Sequence, residues 1–185
     1  QSINKVFTEI YDAWNSDTFF SLIKAFELPT NNQIKTFSRG MRMKAALTIA
    51  LSHDAKLLIL DEATAGMDVS GREHVLEILE DYLGDNRAIL ISSHISEDIE
   101  QLATQLVFMR DGRIILKESK EVLLSQYGII DQPVEHFNIS NEYLIATRRR
   151  NDRQISLVNN YQKVPDAQPL KTIDDATKII MRGEL

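Results

Sequence analysis

The apolar residues of this chain are most informative at Leu57–Glu62, where the sequence reads LLILDE. Four apolar residues follow one another without alternation, which is typical of a strand buried on both faces of a parallel sheet. A similar run, Ala88–Ser92, comes after an amphipathic segment at Val69–Leu83. Strand, helix and strand over about 35 residues predict a βαβ unit with a right-handed crossover and parallel strands.

Periodicity along the rest of the chain predicts further helices and strands. The predicted helices are two short ones within Ser2–Phe26, with Ser16 or Asp17 as the cap between them, then Met41–Ser52, Ile95–Ala103, Ser119–Tyr127 and Ile173–Met181. The predicted strands are Gln105–Arg110 and Arg113–Lys117, joined by Asp111-Gly112, and, after a linker at Ile129–Pro133, the runs Val134–Ile139, Tyr143–Arg148 and Gln154–Asn159. The pattern predicts an α/β chain in three parts: a helical part over residues 1–52, a parallel βαβ core over 53–132 and a small α+β extension over 133–185.

Two carboxylates, Asp61 and Glu62, follow the first buried strand. Open α/β sheets hold ligands at the carboxyl ends of their strands, and adjacent side chains of a strand point in opposite directions. One of the two acids can therefore hold Mg²⁺ while the next orients an attacking water, and phosphoryl transfer needs both tasks. His94 follows the second strand, so we expect it close to both acids, where it can donate to a terminal phosphate. The alternatives are that the acidic pair arises by chance and that His94 is structural or merely exposed.

A second candidate site is Phe37–Met41, directly before a segment rich in good helix formers. Ser38 and Gly40 at a helix N-terminus favour anion binding, because free N–H groups and the helix dipole point outward there. An ordinary serine cap explains the same residues. Lys44, one turn into the helix, either faces the same anion or is solvated.

The composition of the chain excludes some classes of function and of binding site. The chain has 185 residues, a net charge of −6 and no cysteine. The acidic balance argues against a broad nucleic-acid surface, which needs a basic patch. The lack of cysteine excludes disulfides and thiolate metal sites within these residues. No apolar run approaches the ~20 residues that a membrane-spanning helix needs.

The ordered set of motifs resembles the nucleotide-binding domain of ABC transporters. Phe37–Met41 looks like the signature loop, and Leu57–Asp61 looks like the Walker B strand, with Glu62 in the place of the catalytic glutamate. Ala65–Asp68 resembles the D-loop, and His94 is similar to the H-loop histidine. The resemblance implies a P-loop NTPase-type α/β fold and ATPase activity with ATP and Mg²⁺.

The chain departs from the family pattern in two places. The signature loop usually carries two glycines and a glutamine, where this chain has Arg39, Gly40 and Met41; Ser38 and Gly40 keep the hydroxyl and the close backbone approach. A P-loop requires G-x-x-x-x-G-K-[ST], and none of the seven glycines precedes a lysine. Because the resemblance covers roughly Ser2–Gln126 and the P-loop lies upstream in the family, the chain is expected to be the C-terminal portion of such a subunit.

The family mechanism implies a role for each matching residue. Two ATP-binding subunits, identical or different, close head to tail around two ATP molecules. One subunit supplies Asp61 as metal ligand, Glu62 as base and His94 as phosphate sensor, while the other supplies Ser38, Arg39, Gly40 and Met41, with Asp68 of the D-loop nearby. Surfaces within Ser2–Pro29 would contact transmembrane permease subunits, which places the protein at the cytoplasmic face of the cell membrane.

Three functions compete at this point. The first is the ATPase subunit of a membrane transporter of the bacterial exporter type. The second is a soluble ABC-type ATPase acting on ribosomes or DNA, which the acidic balance and the short C-terminal extension disfavour. The third is a non-enzymatic regulator with the same fold, against which the presence of both Glu62 and His94 argues.

Overall fold

The structure, a computed structural model, describes residues 2–84 and 86–183, so the predicted boundaries at residues 1 and 185 lie outside it. The chain divides into two compact units, residues 1–95 and residues 96–185. The three-part division predicted above stays a prediction. None of the helices in the described ranges is long and apolar enough to cross a membrane.

The first unit contains four helices and two strands among its described residues. These are α1 (Ser2–Ile10), α2 (Ser16–Ala25), α3 (Arg39–Leu51), β1 (Leu57–Asp61), α4 (Val69–Tyr82) and β2 (Ala88–Ser92), with a 3-10 turn at Ile34–Thr36. The prediction that Ser16 or Asp17 caps the second helix is wrong, because both residues already lie inside α2. Asn15 is extended and its side chain accepts the Thr18 amide at 2.8 Å, which makes it the cap.

Strands β1 and β2 pair in parallel, in register from Leu57 opposite Ala88 to Asp61 opposite Ser92. This confirms the predicted parallel βαβ unit. The prediction that the first strand is buried on both faces is wrong: Leu58 is 4% exposed, but the alternate residues Leu57 and Ile59 are 55% and 71% exposed. The two strands form a sheet of their own, and within the described part of the chain its second face lies open to solvent.

The second unit combines short helices with two antiparallel sheets. Its elements are α5 (Ser96–Leu102), β3 (Gln105–Arg110), β4 (Arg113–Ser119), α6 (Lys120–Gln126), β5 (Gly128–Pro133), β6 (Leu144–Arg150), β7 (Arg153–Val158), β8 (Gln168–Pro169) and α7 (Ile173–Arg182). Strands β3 and β4 form the predicted hairpin, and Asp111 and Gly112 both have positive φ, as a two-residue hairpin turn requires. The other four strands form one antiparallel sheet in the order β6-β7-β5-β8.

Two predictions in this unit are wrong. Ile129–Pro133 is not a linker but belongs to β5, which pairs with β7 on one side and β8 on the other. Val134–Ile139 is not a strand, since a 3-10 turn at Val134–His136 follows directly after Pro133. The first error has a local cause, because Gly and Pro at the two ends of a short apolar run indicate a linker as readily as a strand. In the structure this run is a strand, and its residue Ile130 is buried in the sheet.

Helix α7 contributes Ile173, Ala176, Ile179 and Ile180 to the buried core of this unit. Leu123 of α6 and Leu157 of β7 complete its centre. The Arg110 guanidinium donates to the carbonyls of Ile180 and Gly183, each at 2.6 Å, and so satisfies the last turn of α7. Helix α7 is therefore held against the β3–β4 hairpin by both packing and hydrogen bonds.

Candidate functional site

Asp61 lies at the carboxyl end of β1 and faces Ser92 across the parallel pair. The Ser92 hydroxyl donates to Asp61 Oδ1. Parallel pairing places equivalent ends of two strands at one sheet edge, which is why a residue 31 positions away in sequence reaches this carboxylate. The structure therefore fixes one oxygen of the predicted metal ligand through a hydrogen bond from the neighbouring strand.

Glu62 comes directly after the strand and adopts a left-handed conformation, with φ at 52°. Its amide donates to the Ser92 carbonyl at 3.1 Å and to the Ser92 hydroxyl at 3.2 Å. Its carboxylate Oε2 lies 2.5 Å from His94 Nδ1. The expected proximity of His94 to Glu62 is confirmed, while the catalytic roles of both residues stay predictions.

The acidic edge is open to solvent. The side chains of His94 and Glu62 are 71% and 35% exposed, and Asp61 is also exposed. A ligand can approach the two carboxylates and the imidazole without any rearrangement of the backbone. The strong exposure of the imidazole keeps its contact with Glu62 weak, because water competes for and screens polar contacts at the surface.

Ser38 is the N-cap of α3, and its hydroxyl accepts the Met41 amide at 3.2 Å. The ordinary capping role is therefore present in the structure, and a role in holding phosphate stays a prediction. Arg39 and Ser38 are exposed, so the loop is accessible from outside.

The predicted signature loop packs against the predicted D-loop. A Cβ atom added to Gly40 would lie 3.3 Å from the Gly66 carbonyl oxygen. Gly66 itself has φ at +78°, and a Cβ there would lie 3.0 Å from the Arg39 side chain. A side chain at residue 40 would require the Gly66 backbone to shift by a few tenths of an ångström, and a side chain at residue 66 would be strained by the left-handed backbone.

Asp68 caps α4, accepting the Gly71 amide at 3.0 Å. The structure thus gives Asp68 a structural role, and its predicted contact with nucleotide stays a prediction. The site residues predicted from the sequence fall into two clusters: Asp61, Glu62 and His94 at the sheet edge, and the two packed loops that contain Ser38–Met41 and Asp68. Ser92 was missed by the sequence analysis, because placing its hydroxyl opposite Asp61 requires the strand register to a single residue.

The sheet edge fits a magnesium–nucleotide complex better than a free metal. No group of three His, Asp or Glu residues in the described ranges could hold a metal ion by itself. Mg²⁺ in nucleotide sites is held by one or two carboxylates together with phosphates and water. A single carboxylate, Asp61, would fit that requirement if nucleotide and solvent supplied the remaining ligands.

Part of the chain is similar to known proteins. The family model described as ABC transporter matches residues 5–65. The chain is 37% identical over 116 residues to a lantibiotic transport ATP-binding protein, SrtF, of Streptococcus pyogenes, covering 63% of this chain and 47% of the relative. It is 32% identical over 120 residues to the linearmycin resistance ATP-binding protein LnrL of Bacillus subtilis, covering 63% of this chain and 38% of that protein. A Nod factor export ATP-binding protein of Rhizobium johnstonii is 34% identical over 100 residues, which cover 54% of this chain and 32% of that protein.

Solved structures agree on the fold. An ATP-binding subunit of an ABC transporter superposes with a TM-score of 0.53 at 23% identity, covering 59% of this chain and 48% of that chain. A dimeric ATP-binding cassette bound to ADP and phosphate superposes with a TM-score of 0.50 at 18% identity, covering 56% and 46%. The chain spans about half the length of the curated relative SrtF. In its motifs and in these relatives, the chain is similar to ABC transporter ATP-binding proteins.

Proposed function

We propose that these residues are part of the ATP-hydrolysing subunit of a membrane ABC transporter of the bacterial exporter type. The observation that carries the proposal is the sheet edge, where Asp61 lies beside the contact between Glu62 and His94. The names of the relatives, which concern lantibiotic transport, linearmycin resistance and Nod factor export, support the exporter type.

Each residue of the edge has a separate task in this proposal. When bound, Mg²⁺ would neutralise negative charge on the phosphates of ATP. Asp61 would hold the metal, Glu62 would accept a proton from the attacking water, and His94 would donate to the terminal phosphate. The 2.5 Å contact between Glu62 and His94 supports a joint action of base and sensor, because either partner can orient the other.

The second cluster would act on the ATP held by another subunit. Ser38, Arg39, Gly40 and Met41 lie at the start of α3, where free N–H groups favour a phosphate. Asp68 ends the loop that packs against them through Gly66. The proposed partners are a second ATP-binding subunit, identical or different, and transmembrane permease subunits, with the protein held at the cytoplasmic face of the membrane. Nucleic acid is not a proposed partner, since the chain is acidic.

Association with a membrane protein tests the proposal. The protein to be used is a full-length subunit, meaning one polypeptide that contains these residues together with a P-loop. We expect it to co-purify with a multi-span membrane protein encoded beside it, and to hydrolyse Mg·ATP in that complex. A full-length subunit that purifies only with ribosomes or DNA would contradict the proposal and favour the soluble class of ABC ATPase. A complex without any ATPase activity would favour the regulator.

A further inference from the structure

Ser92 contacts both acidic residues of the sheet edge. Its hydroxyl donates to Asp61 Oδ1 and accepts the Glu62 amide at 3.2 Å. Its carbonyl accepts the same amide at 3.1 Å. One residue of β2 therefore holds the side chain of Asp61 and the backbone of Glu62 at the same time.

The direction of the hydroxyl proton is determined by these two bonds. A serine hydroxyl has one proton to donate and lone pairs to accept with. Because an N–H group approaches the Ser92 oxygen from Glu62, the proton is left for the carboxylate of Asp61. The bond to the carboxylate is charge-assisted, which makes it stronger than a bond between neutral groups.

The placement of the pair follows from the register of the sheet. Asp61 and Ser92 are directly paired residues of parallel strands, and both lie on the exposed side of the sheet with Ile59 and Leu90. A lone carboxylate at an exposed strand end would sample several rotamers in water. The Ser92 hydroxyl selects one of them.

We propose that Ser92 is a positioning residue for Mg²⁺: it holds Asp61 in the rotamer that binds the metal and fixes the turn that directs Glu62. The part about the metal rests on the function proposed above, whereas the part about the Asp61 rotamer does not. Partners that orient a metal ligand typically contribute 10–100-fold to metal affinity or activity. Ser92 touches neither substrate nor metal in this proposal and acts through Asp61 and Glu62.

The first experiment measures the rotamer in the 185-residue chain itself. Three-bond NMR couplings report the χ1 angle of Asp61 in the wild type, Ser92→Ala and Ser92→Thr. We expect a single rotamer in the wild type and in Ser92→Thr, which keeps the hydroxyl, and averaged couplings in Ser92→Ala. Ser92 is exposed, so neither substitution disturbs packing. Averaged couplings in the wild type, or a single rotamer in Ser92→Ala, would overturn the positioning of Asp61.

The second experiment measures metal affinity in the full-length subunit. Mn²⁺ serves as a paramagnetic probe for Mg²⁺, and a Glu62→Gln background prevents turnover. We expect Ser92→Ala to weaken Mn²⁺ binding to the ATP complex about 10–100-fold, Ser92→Thr to restore it, and metal-free ATP binding to stay unchanged. Ser125→Ala, which removes an exposed hydroxyl bonded to the Val122 carbonyl in α6, is the matched control and should have no effect.

The two experiments separate the two proposals. Equal Mn²⁺ affinity in Ser92→Ala and wild type, or an equal loss in Ser92→Thr, would overturn the role of the Ser92 hydroxyl in metal binding. A full-length subunit that does not hydrolyse ATP would overturn the proposed function. The Asp61 couplings decide the positioning role in either case, because they need no nucleotide.

Discussion

Glu62 is the residue on which turnover should depend most. Its carboxylate contacts His94, and its left-handed backbone turns it out of the strand direction. In the full-length subunit, Glu62→Gln should lower turnover by about 10²–10⁴-fold, because the amide keeps the size but cannot accept a proton from water. ATP binding and closed dimers should persist. Glu77→Gln, the same change on the exposed side of α4, is the control and should leave turnover unchanged. Steady-state phosphate release at the wild-type rate in Glu62→Gln would exclude Glu62 as the base.

Two substitutions at Ser38 distinguish its structural role as a helix cap from its proposed role in closure of the dimer. Ser38→Ala removes the cap of α3 and should cost about 1 kcal/mol of stability, since the Met41 amide loses its acceptor. Ser38→Arg removes the same cap and also fills the space in front of the helix. In the full-length subunit, only Ser38→Arg should block ATP-driven dimerisation in light scattering while each monomer still binds ATP. Undiminished dimerisation of Ser38→Arg would count against the assignment of the signature loop.

At the level of single residues, chain order and strand pairing were sufficient to bring Glu62 and His94 together. The carboxyl ends of parallel strands lie at one edge of the sheet whatever side chains the strands carry. The prediction therefore required only that both strands be identified, and not their exact register. The contact of Ser92 with Asp61 depends on register to a single residue, and sequence patterns leave strand ends uncertain by more than that. Asn15 was missed as a cap for the same reason, since the first residue of α2 could not be fixed.

The open face of the β1–β2 sheet is a testable property of an element. Leu57, Ile59 and Leu90 are all more than half exposed on it. Exposed apolar patches of this kind bind hydrophobic dyes. Ile59→Thr should therefore lower the fluorescence of added ANS with the 185-residue chain, whereas Val69→Thr, which changes one exposed valine of α4, should change it less. Equal decreases in the two variants would show that the sheet face is not open in solution.

The first turn of α7 should make the second unit sensitive to acid. The Lys178 ammonium, hydrogen-bonded to Asp174, lowers the pKa of that carboxyl below its usual value of 3.8, and the Ser96 hydroxyl adds to the effect. A carboxyl whose pKa is lower in the folded state than in the unfolded state stabilises the fold at pH values above its unfolded-state pKa. This stabilisation is lost as the pH falls through the folded-state pKa.

Asp174→Asn should thus lower Tm slightly at pH 7, and the difference from wild type should vanish at a pH below the folded pKa. Asp175→Asn, the neighbouring acid in the same turn, is the control and should leave the pH dependence of the wild type intact. Thermal unfolding followed by circular dichroism measures both. A difference between Asp174→Asn and wild type that persists in strong acid would contradict this account.

Elements with strong local signals were predicted well. The hairpin β3–β4 and the helix α7 follow from a two-residue turn and from helical spacing, which are properties of neighbouring residues. Strand β5 was missed because its position is decided by pairing with β7 and β8, which are distant in sequence. The predicted strand at Val134–Ile139 failed because the backbone turns at Pro133 and Val134, and the apolar pattern does not record that turn.

At the scale of the whole molecule, the proposed function assigns one part of an ATP site to these residues. Asp61, Glu62 and His94 stand at an open sheet edge, and the 185 residues contain no P-loop to cradle the phosphates. The apolar run of β1 predicts burial on two sides, yet one side is exposed, since burial depends on what packs there and not on the strand alone. Unscreened carboxylates without a cradle should repel a polyanion such as ATP.

Titration calorimetry of the 185-residue chain with Mg·ATP, combined with an assay of phosphate release, tests this account most directly. We expect no measurable binding at micromolar concentrations and no turnover, because the residues proposed to hold the metal, the water and the terminal phosphate cannot bind the nucleotide alone. Micromolar affinity, equivalent to about −8 kcal/mol, or turnover that Glu62→Gln abolishes, would contradict the claim that these residues form only the catalytic part of the site.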